Sequence, residues 1–442
     1  MPGILAAREW PAWPEFVSPK DVPTSAADEA TFQATKAAVI QEYGEKALTE
    51  SWIQTCAELE KVTAEIVDKD RDMISILKME DIVAGRVSDE TRARMKETGC
   101  FVVQNVIDPA TTNQLFADLD RFTEVNKGRY RSWPEDNPSI FTLFNTPTQN
   151  AARTHPNQLQ LMKWINNLWH WSESSTDVSA EPLLYADAVR KRPAGSPFLG
   201  LGPHIDGGSL CRWADPVYKK AYHPVFAGNP EEVDVYDLDA RKNVKFDLFP
   251  GRAHTSVFRS FQGWTALTRT APREGTILLY PNVKTVIAYV LLRPFFQPPE
   301  DPSKVMDASQ WKFDPNPDQA FFPGTKTWES QRLSALSHPH LRLKECLVAV
   351  PELQPGDTVW WHTDVCHAVD AEHIGKDYAS VVYIAAVPTT TANKEYTQQQ
   401  YLQMAAGLPP KDGGEMGVDE SKLEGWTGFS ENSELVKRLM GF

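Results

Sequence analysis

Apolar residues recur at intervals of three or four positions between residues 27 and 82, which predicts helices. The aromatic and aliphatic members of this stripe are Phe32, Val39, Ile40, Tyr43, Trp52, Cys56, Leu59, Val62 and Ile66. A stripe of this kind is typical of residues that pack against a core. Residues 1–24 are instead rich in Pro and Trp and irregular. We therefore expect residues 1–95 to form a helical segment packed on the outside of a larger domain.

From residue 96 to residue 390, short apolar runs separated by turn residues predict strands joined by loops. The predicted strands are residues 99–106, 184–192, 256–267, 275–280, 347–350, 358–361 and 379–386. Helical spacing predicts helices at residues 109–123, 158–171, 283–292 and 396–405. Residues 128–160 carry Pro and Asn and predict a long loop that leads into the second of these helices.

Two polar, Pro-containing segments near residues 213–249 and 297–335 are too long for ordinary connections and predict insertions or lids. Short strands flanked by helices predict a mainly β protein, either an antiparallel sandwich or an open barrel wrapped by helices. We place this domain at residues 96–390 and a C-terminal helical tail at residues 391–442.

Composition narrows the class of protein. The 442 residues are 41% hydrophobic and include 14 Trp, enough for a substantial core, and the net charge is −14. Without a compensating basic block, that charge argues against a nucleic-acid partner. The five cysteines are scattered with no Cys-x-x-Cys, which is typical of reduced thiols in the cytoplasm. There is no signal-peptide core and no apolar run of about 18 residues, so we expect a cytoplasmic protein with no membrane span.

The candidate chemistry lies in the segment Gly202-Pro203-His204-Ile205-Asp206-Gly207-Gly208, where an imidazole and a carboxylate are two residues apart. On a strand, such residues share a face. A second candidate imidazole, His367, follows the apolar run at residues 358–361. Two imidazoles and one carboxylate on one side of a metal form the facial arrangement of non-haem Fe(II) oxygenases. We therefore predict that His204, Asp206 and His367 are metal ligands and catalytic residues.

Taken alone, the His-x-Asp pattern is weak, because a chain of this composition contains roughly one copy by chance. A second copy indeed occurs at His362-Thr363-Asp364. The Gly-rich frame and the downstream histidine raise the first copy above that background. The alternative is a histidine that hydrogen-bonds a carboxylate in a turn.

Several motifs carry a family resemblance. The segment Gly356-Asp357…Trp361…His367 resembles the distal-histidine strand of Fe(II)/2-oxoglutarate-dependent oxygenases, and Trp264-Thr265-Ala266-Leu267…Glu274-Gly275-Thr276 resembles the strand–turn–strand between their metal motifs. Further runs are similar to the YbiU-like family, a domain of unknown function: Tyr185-Ala186-Asp187…Arg190…Arg192-Pro193, Leu201 to Ser209 with Arg212-Trp213, Phe258 to Leu267, and Lys437 to Phe442.

The resemblance implies a double-stranded β-helix core of the jelly-roll or cupin-like kind, with Fe(II), 2-oxoglutarate and dioxygen as cofactors. It also favours His367 over His362 as the third ligand, because His367 has the offset from the Gly-Asp pair that the family uses. In the family resemblance, substrates with assigned chemistry are small, amino-acid-like molecules. For this chain we expect oxidation of a substrate C–H bond, by hydroxylation, desaturation or ring closure.

One departure from the wider superfamily concerns the arginine that grips the far carboxylate of 2-oxoglutarate from the last strand. The matching position here is about Tyr378, followed by Ser380, and no arginine lies between the distal histidine and the tail. The nearest cation is Lys376. We predict that Arg259, on a central strand facing the metal, is the anchor, assisted by Ser380 or Tyr378. Arg212 and Lys376 are the next candidates, and an ion pair with a buried carboxylate is the alternative for Arg259.

Other polar residues have weaker signals. Arg190 and Arg192 share one face of a predicted strand and could bind a substrate carboxylate or form a solvated edge. His338 and His340 lack a companion carboxylate, so we expect a solvent-exposed loop pair instead of a second metal site. We assign no function to His223, His254 and His373.

Two rival classes stay open beside an oxygenase with a small-molecule substrate. A cupin-like metal-dependent dioxygenase or isomerase without 2-oxoglutarate would explain the missing arginine. A non-catalytic binding protein would need no metal, and the complete His-x-Asp…His set argues against it. The oligomeric state is open.

Overall fold

The computed structural model describes residues 25–249, 251, 255–316, 320–413, 417–429 and 434–442. The predicted irregular segment at residues 1–24 and His254 lie outside the described residues. Within them, the α-helices are α1 (Ala26–Lys69), α2 (Met79–Val83), α3 (Asp89–Thr98), α4 (Pro109–Val125), α5 (Pro147–Thr154), α6 (Pro156–Asn166), α7 (Cys211–Ala214), α8 (Pro216–Ala221), α9 (His223–Phe226), α10 (Leu238–Arg241), α11 (Lys284–Leu292), α12 (Leu343–Cys346), α13 (Thr391–Ala405) and α14 (Glu434–Leu439).

Strands alternate with these helices along most of the described chain. They are β1 (Ser75–Lys78), β2 (Cys100–Gln104), β3 (Ser132–Trp133), β4 (Ile140–Phe141), β5 (Ser179–Leu183), β6 (Val189–Arg192), β7 (His204–Ile205), β8 (Phe261–Ala266), β9 (Ile277–Leu279), β10 (Phe296–Gln297), β11 (Lys312–Phe313), β12 (Gln331–Arg332), β13 (Val348–Ala349), β14 (Thr358–His362), β15 (His367–Val369) and β16 (Ala379–Thr389). The chain is therefore a mixed α/β protein with several sheets, and helices form more of it than the mainly β prediction assumed.

Two sheets dominate the structure. The large sheet has the order β1-β2-β14-β8-β16-β6-β4-β3, and β5 pairs with the end of β16. All its pairs are antiparallel except β1 with β2. The small sheet, β12-β7-β15-β9-β13, is antiparallel throughout. Strands β10 and β11 form a separate antiparallel pair.

The long helix α1 covers one side of the structure. It begins where the Ser25 side chain accepts a hydrogen bond from the Asp28 backbone N–H, and it kinks at Gly44, where φ is 79°. Trp52 anchors its buried face by stacking on Phe296 with ring centroids 4.6 Å apart. This helix packs on α11, whose side chains are buried from residue 286 to residue 292. Burial on every side explains why α11 is apolar throughout.

The prediction of helices through residue 82 is wrong at β1, because this segment pairs in parallel with β2 and tertiary pairing overrides the local pattern. The chain is helical again at α2, which begins directly after β1. The long strand predicted at residues 184–192 is confined to β6, and the one at residues 256–267 begins only at residue 261. The loop predicted for residues 128–160 contains β3, β4 and α5, and α6 starts within it. A capping box between Thr146 and Gln149 starts α5.

The two predicted insertions differ in structure. Residues 213–249 contain the short helices α8, α9 and α10, whereas residues 297–335 carry β11, β12 and single 3₁₀ turns in their described part. Among the described residues, no helix is both long and apolar enough to cross a membrane. All five cysteines are buried and unpaired.

Candidate metal centre

Neighbouring strands of the small sheet carry the candidate ligands. His204 begins β7, His367 begins β15, and the two residues are direct partners in the antiparallel register. Asp206 follows β7 immediately. The chain then turns at Gly207 and Gly208 with positive φ values of 78° and 94°. At Gly208 an added Cβ would collide with the first residue of α7, so glycine permits this close turn.

The ligand atoms converge on one point. One atom from each of the three side chains lies within 4.8 Å of the others. His204 Nε2 is 3.7 Å from Asp206 Oδ1, and His367 Nε2 is 3.5 Å from Asp206 Oδ2. Two imidazoles and one carboxylate on one side of a metal leave its remaining coordination positions open for other ligands. The arrangement can therefore hold a divalent cation and still admit a small molecule to it.

Backbone carbonyls set the orientation of both rings. His204 Nδ1 lies 2.7 Å from the Gly202 carbonyl oxygen, and His367 Nδ1 lies 3.1 Å from the Val365 carbonyl oxygen. A carbonyl only accepts hydrogen bonds, so each Nδ1 carries the proton and each Nε2 presents a lone pair to the metal position. The local backbone thus prepares both imidazoles as ligands.

The surroundings of His204 and Asp206 favour the protonation states in which these side chains can bind a metal. Burial, helped by the nearby His367, lowers the pKa of His204 to about 4, so its ring is neutral at pH 7. Burial opposes ionisation of Asp206, but the two imidazoles outweigh it, and the pKa of this carboxyl lies well below its usual range. The carboxylate accepts hydrogen bonds from Gln262 Nε2 at 2.8 Å and Ser330 Oγ at 2.9 Å.

His362, the other histidine weighed for this role, lies elsewhere. Its Nε2 is 3.0 Å from the Val235 carbonyl oxygen, and its Nδ1 accepts a hydrogen bond from the Asp364 backbone N–H. The ring stacks on Trp169 with centroids 4.9 Å apart and an interplanar angle of 8°. Both ring nitrogens are therefore engaged, and neither faces the ligand cluster.

A buried charge network joins the two metal segments. Asp364 accepts hydrogen bonds from Arg241 at 2.8 Å and from the Tyr222 hydroxyl at 2.9 Å. Arg212 lies 3.7 Å from the same carboxylate and also donates to the backbone carbonyl of Asp206 at 2.5 Å. Arg212, a sequence candidate for the co-substrate anchor, is thus bound to the protein and does not line the cavity.

A cavity of about 600 Å³ opens over the three candidate ligands, between the two sheets. The large sheet contributes Gln262, Trp264, Trp361 and Tyr383 to its wall, and the small sheet adds Ile277 and Val369. The second insertion supplies Trp328, Glu329, Ser330 and Arg332. The wall therefore combines five Tyr or Trp side chains with a larger number of polar and charged groups, the candidate ligands among them.

Arg259 lines this cavity, although it precedes β8 and does not lie on the strand. Its guanidinium sits over the Tyr185 ring at 5.5 Å. Burial opposes its charge, but Tyr185 and Asp206 raise its pKa above the ordinary value. Asp187 lines the same cavity, and within the described residues no ion pair at or below 4.0 Å joins it to Arg259.

The other anchor candidates lie away from the cavity wall. Ser380 is buried and its hydroxyl donates to the Arg190 carbonyl at 2.9 Å, whereas Tyr378 and Lys376 are exposed. The alternation of side chains along β16 turns Val381, opposite Arg190, toward the inner face instead. The structure thus brings together the three ligands and Arg259, and it leaves Ser380, Tyr378, Lys376 and Arg212 outside.

Arg190 and Arg192 are both fully buried, so the solvated edge considered for them is wrong. Arg192 donates to Ser196 Oγ at 3.0 Å and to the Asp370 carbonyl at 2.9 Å, which fixes two loops. Arg190 stacks on the Trp264 ring at 4.4 Å. Neither is among the residues that line the cavity, but Arg190 contacts the ring of Trp264, which does line it.

The solvent-exposed position expected for His338 and His340 is also wrong. Both are buried, with 1% and 5% exposure. His338 Nδ1 lies 2.7 Å from Ser337 Oγ, and His340 Nδ1 lies 3.1 Å from the Tyr289 hydroxyl. These contacts place both rings in the aromatic packing under α1, where local sequence gives no sign of burial.

Several wall residues escaped the sequence analysis. Gln262 could have been predicted as a wall residue, because it lies two residues from Trp264, and hence on the same face, of a strand predicted to face the metal. Ser330 and Tyr383 gave none, since a serine in a Pro-rich insertion and a tyrosine in a strand are common. Asp187 was part of the family-like run at residues 185–193 but was assigned no role.

Comparisons with known proteins give one family and several structural relatives. The Gig2-like family model matches residues 27–441. YbiU, an uncharacterised Escherichia coli K12 protein, is 31% identical over 372 residues, covering 76% of this chain and 78% of YbiU. The crystal structure of GIG2, from GlcNAc inducible gene 2 of Candida albicans, matches with a TM-score of 0.81 and 26% identity over 95% of this chain and 90% of that one. The crystal structure of a Salmonella typhimurium LT2 protein, provisionally described as an oxidoreductase, matches with a TM-score of 0.79 and 24% identity. The match covers 97% of this chain and 100% of that one, and it shows a likeness in fold alone.

Proposed function

Because this chain belongs to the Gig2-like family and gathers two imidazoles and a carboxylate in one cavity, we propose that it is a non-haem Fe(II)/2-oxoglutarate-dependent oxygenase. In this proposal it oxidises a C–H bond of a small, amino-acid-like molecule by hydroxylation, desaturation or ring closure. The observation that carries the proposal is the convergence of His204, Asp206 and His367 with both Nε2 atoms facing one point.

The sheet connectivity supports the double-stranded β-helix core in this proposal. From β6 onward, the strands β6, β8, β14 and β16 belong to the large sheet, whereas β7, β9, β13 and β15 belong to the small one. A chain that passes between two antiparallel four-stranded layers is the connectivity of a jelly roll. We assign the core to these eight strands, within residues 96–390. Residues 26–95 and 391–442 lie outside it.

The donor set fits Fe(II). Two neutral imidazoles and one carboxylate, with positions left open, is the ligand set of non-haem iron oxygenases. Hydrogen bonds from Gln262 and Ser330 hold the Asp206 carboxylate in place, and such supporting contacts strengthen metal binding. Iron bound here with 2-oxoglutarate and dioxygen would supply the oxidant for the substrate C–H bond and release succinate and carbon dioxide.

The cavity also fits 2-oxoglutarate, which needs a cation for the carboxylate remote from the metal. Burying that charge unpaired would cost several kcal/mol. Arg259 lines the cavity, and Arg190 lies against the Trp264 ring with all three guanidinium nitrogens lacking a hydrogen-bond partner among the described residues. The chain therefore offers buried positive charge to a dicarboxylate even though the last strand carries no arginine.

The protein's own contribution is to position the reactants and exclude water. Trp264, Trp361 and Tyr383 form an aromatic wall beside the metal position, which keeps solvent from the reacting groups. The second insertion adds Trp328 and Ser330 on the other side. These side chains hold a small substrate close to the open coordination positions.

The unlike charges of Arg259 and Asp187 support a substrate with both an anionic and a cationic group. Both side chains line the cavity without a mutual ion pair within the described residues. Burial raises the pKa of Asp187, and the nearby Arg259 opposes that rise. A carboxylate on Arg259 and an ammonium group on Asp187 would satisfy both, as an amino-acid-like molecule does.

The alternative function is a cupin-like metal-dependent dioxygenase or isomerase without 2-oxoglutarate. The missing arginine on the last strand favours it. The two functions differ in one product, since only the first releases succinate.

The test is to incubate the purified protein anaerobically with Fe(II) and 2-oxoglutarate, admit oxygen in the presence of ascorbate, and measure succinate. We expect succinate from the wild-type protein, and a loss of at least about a hundredfold in His367→Ala, because removing one of three ligands breaks the metal site.

His170→Ala is the matched control, since this histidine is surface-exposed and paired with Asp234. It should retain the wild-type rate. Iron binding without succinate would instead support the alternative function.

A further inference from the structure

Arg190 occupies an inward-facing position next to the last strand. In the register between β6 and β16 it lies directly opposite Val381, on the face that also carries Tyr383. Tyr383 in turn pairs with Trp264 on β8. Arg190 therefore belongs to the sheet face that forms the wall of the cavity, one strand away from the position at which the superfamily has its arginine.

Arg190 differs from the other buried arginines. Arg192, Arg212, Arg241 and Arg293 each donate at least two hydrogen bonds to carbonyl oxygens, a hydroxyl or a carboxylate. Within the part of the chain that the structure describes, Arg190 has no hydrogen-bond acceptor on Nε, Nη1 or Nη2. A buried guanidinium without an acceptor is costly, and such exceptions call for an explanation.

Among the described residues, no carboxylate lies within ion-pair distance of the Arg190 guanidinium. Burial lowers its pKa, and the neighbouring Tyr383 phenol, which lines the cavity, opposes that shift. The guanidinium also lies over the face of the Trp264 ring, 4.4 Å from its centroid. Trp264 Nε1 is also buried without a partner. Arg190 and Trp264 thus present neighbouring donors, and by hydrogen-bond geometry none of the described residues satisfies them.

The distance from the metal position suits a dicarboxylate. Gln262 donates to Asp206, and Trp264 is two residues further along the same face of β8, about 6.6 Å away. The ends of a five-carbon chain with bonds of about 1.5 Å are about 5 Å apart. A ligand that chelates the metal beside Gln262 would therefore carry its remote group to Trp264 and Arg190.

We propose that Arg190 binds the far carboxylate of 2-oxoglutarate, in place of the arginine missing from the last strand. This inference rests on the proposed function. It replaces Arg259, the choice from sequence, as the anchor. Arg259 already has Asp187, Asp206 and Tyr185 as neighbours of its charge and is left for the substrate. The planar fork of a guanidinium matches a carboxylate with two parallel hydrogen bonds.

The experiment compares 2-oxoglutarate with 2-oxopentanoate, which has the same chain length and metal-chelating end but no far carboxylate. Dissociation constants are measured anaerobically on the Fe(II)-loaded protein by calorimetry, for the wild type, Arg190→Met and Arg259→Met. We expect the wild type to prefer 2-oxoglutarate by at least about a hundredfold, as a lost charge-assisted pair implies. Arg190→Met should abolish that preference, and Arg259→Met should keep it.

Arg190→Lys is a second variant in case Arg190→Met fails to fold, because lysine keeps the charge and much of the stem. It should reduce the preference at least tenfold while Fe(II) binding is retained. A preference unchanged in either folded Arg190 variant, or lost in Arg259→Met alone, would overturn the assignment. A wild-type protein that binds Fe(II) but neither 2-oxo acid would refute the proposed function itself, which is a distinct outcome.

Discussion

Two histidines five residues apart show what decides a ligand at the scale of single residues. Both ring nitrogens of His362 are engaged, whereas His367 has only its Nδ1 tied to a carbonyl. Asp206 faces His367 at 3.5 Å. The two rings therefore differ in their Nε2 atoms, since only that of His367 is directed at the Asp206 carboxylate. The fold determines this orientation, because it places the carbonyl that binds Nδ1.

Buried histidines also make the stability of the protein depend on pH. Burial lowers the pKa of His340 and of His362 to about 4, against 6.5 for an ordinary histidine. Between pH 6.5 and about 4, the unfolded chain binds protons that the folded chain does not, so stability falls as the pH falls. Glu420, whose pKa burial raises to about 7, acts in the opposite direction in that range.

We predict that the free energy of unfolding of the metal-free protein decreases between pH 6.5 and pH 5. Each such histidine contributes up to about 1.4 kcal/mol per pH unit. Urea unfolding measured in a chelating buffer at several pH values gives the slope. His340→Gln should flatten it, and a stability independent of pH in the wild type would contradict the prediction.

At this scale, the sequence could single out candidate residues only where the signal was local. His204 and Asp206 share a Gly-framed segment, and the family-like offset favoured His367. From the sequence, Arg190 and Arg192 had the same two alternative roles. A guanidinium without hydrogen-bond partners can be recognised only in the structure, where its neighbours are known. Ser330 gave no signal, since its contact with Asp206 spans 124 positions of sequence.

At the scale of elements, a buried ion-pair network fixes the two metal segments relative to each other. Asp364 lies between β14 and β15 and binds Arg241 of α10. Arg212 of α7 bridges the same carboxylate and the Asp206 carbonyl. Both arginines and the carboxylate are fully buried, so removing one partner leaves uncompensated charge.

Asp364→Asn should therefore lower the free energy of unfolding by about 3–5 kcal/mol, the range for a broken buried pair. It should also weaken metal binding, because the segment before His367 loses its anchor. Denaturant unfolding and calorimetric Co(II) titration measure the two effects. Glu352→Gln is the control, since its pair with Arg269 is exposed and should contribute less than about 1 kcal/mol. Equal effects in both variants would contradict the role of the network.

Elements with a strong local pattern were predicted well, and those that depend on pairing were not. The helix predicted at residues 109–123 matches α4, which has Asp108 as its N-cap and Pro109 in its first turn. In contrast, β1 has one buried residue in four and becomes a strand only beside β2. Strands of two residues, such as β7, carry no periodicity at all.

At the scale of the whole molecule, the resemblance to the YbiU-like family is confirmed by the match to YbiU. The sequence predicted a sheet domain with helices around it, and the structure is a mixed α/β protein in which α1 alone spans 44 residues. The balance of helix and strand was misjudged because residues 213–249 contain short helices without clear periodicity. The cavity between the sheets could not be predicted, since its wall comes from both sheets and an insertion.

The central claim is that His204, Asp206 and His367 hold one iron with 2-oxoglutarate bound beside it. The most direct measurement is a crystal structure of the protein loaded anaerobically with Fe(II) and 2-oxoglutarate, with anomalous data at the iron edge. We predict one peak within about 2.0–2.2 Å of His204 Nε2, His367 Nε2 and an Asp206 oxygen. The 2-oxo-acid end should occupy two further positions. An iron peak elsewhere, or ligation by His362 in place of His367, would contradict this account.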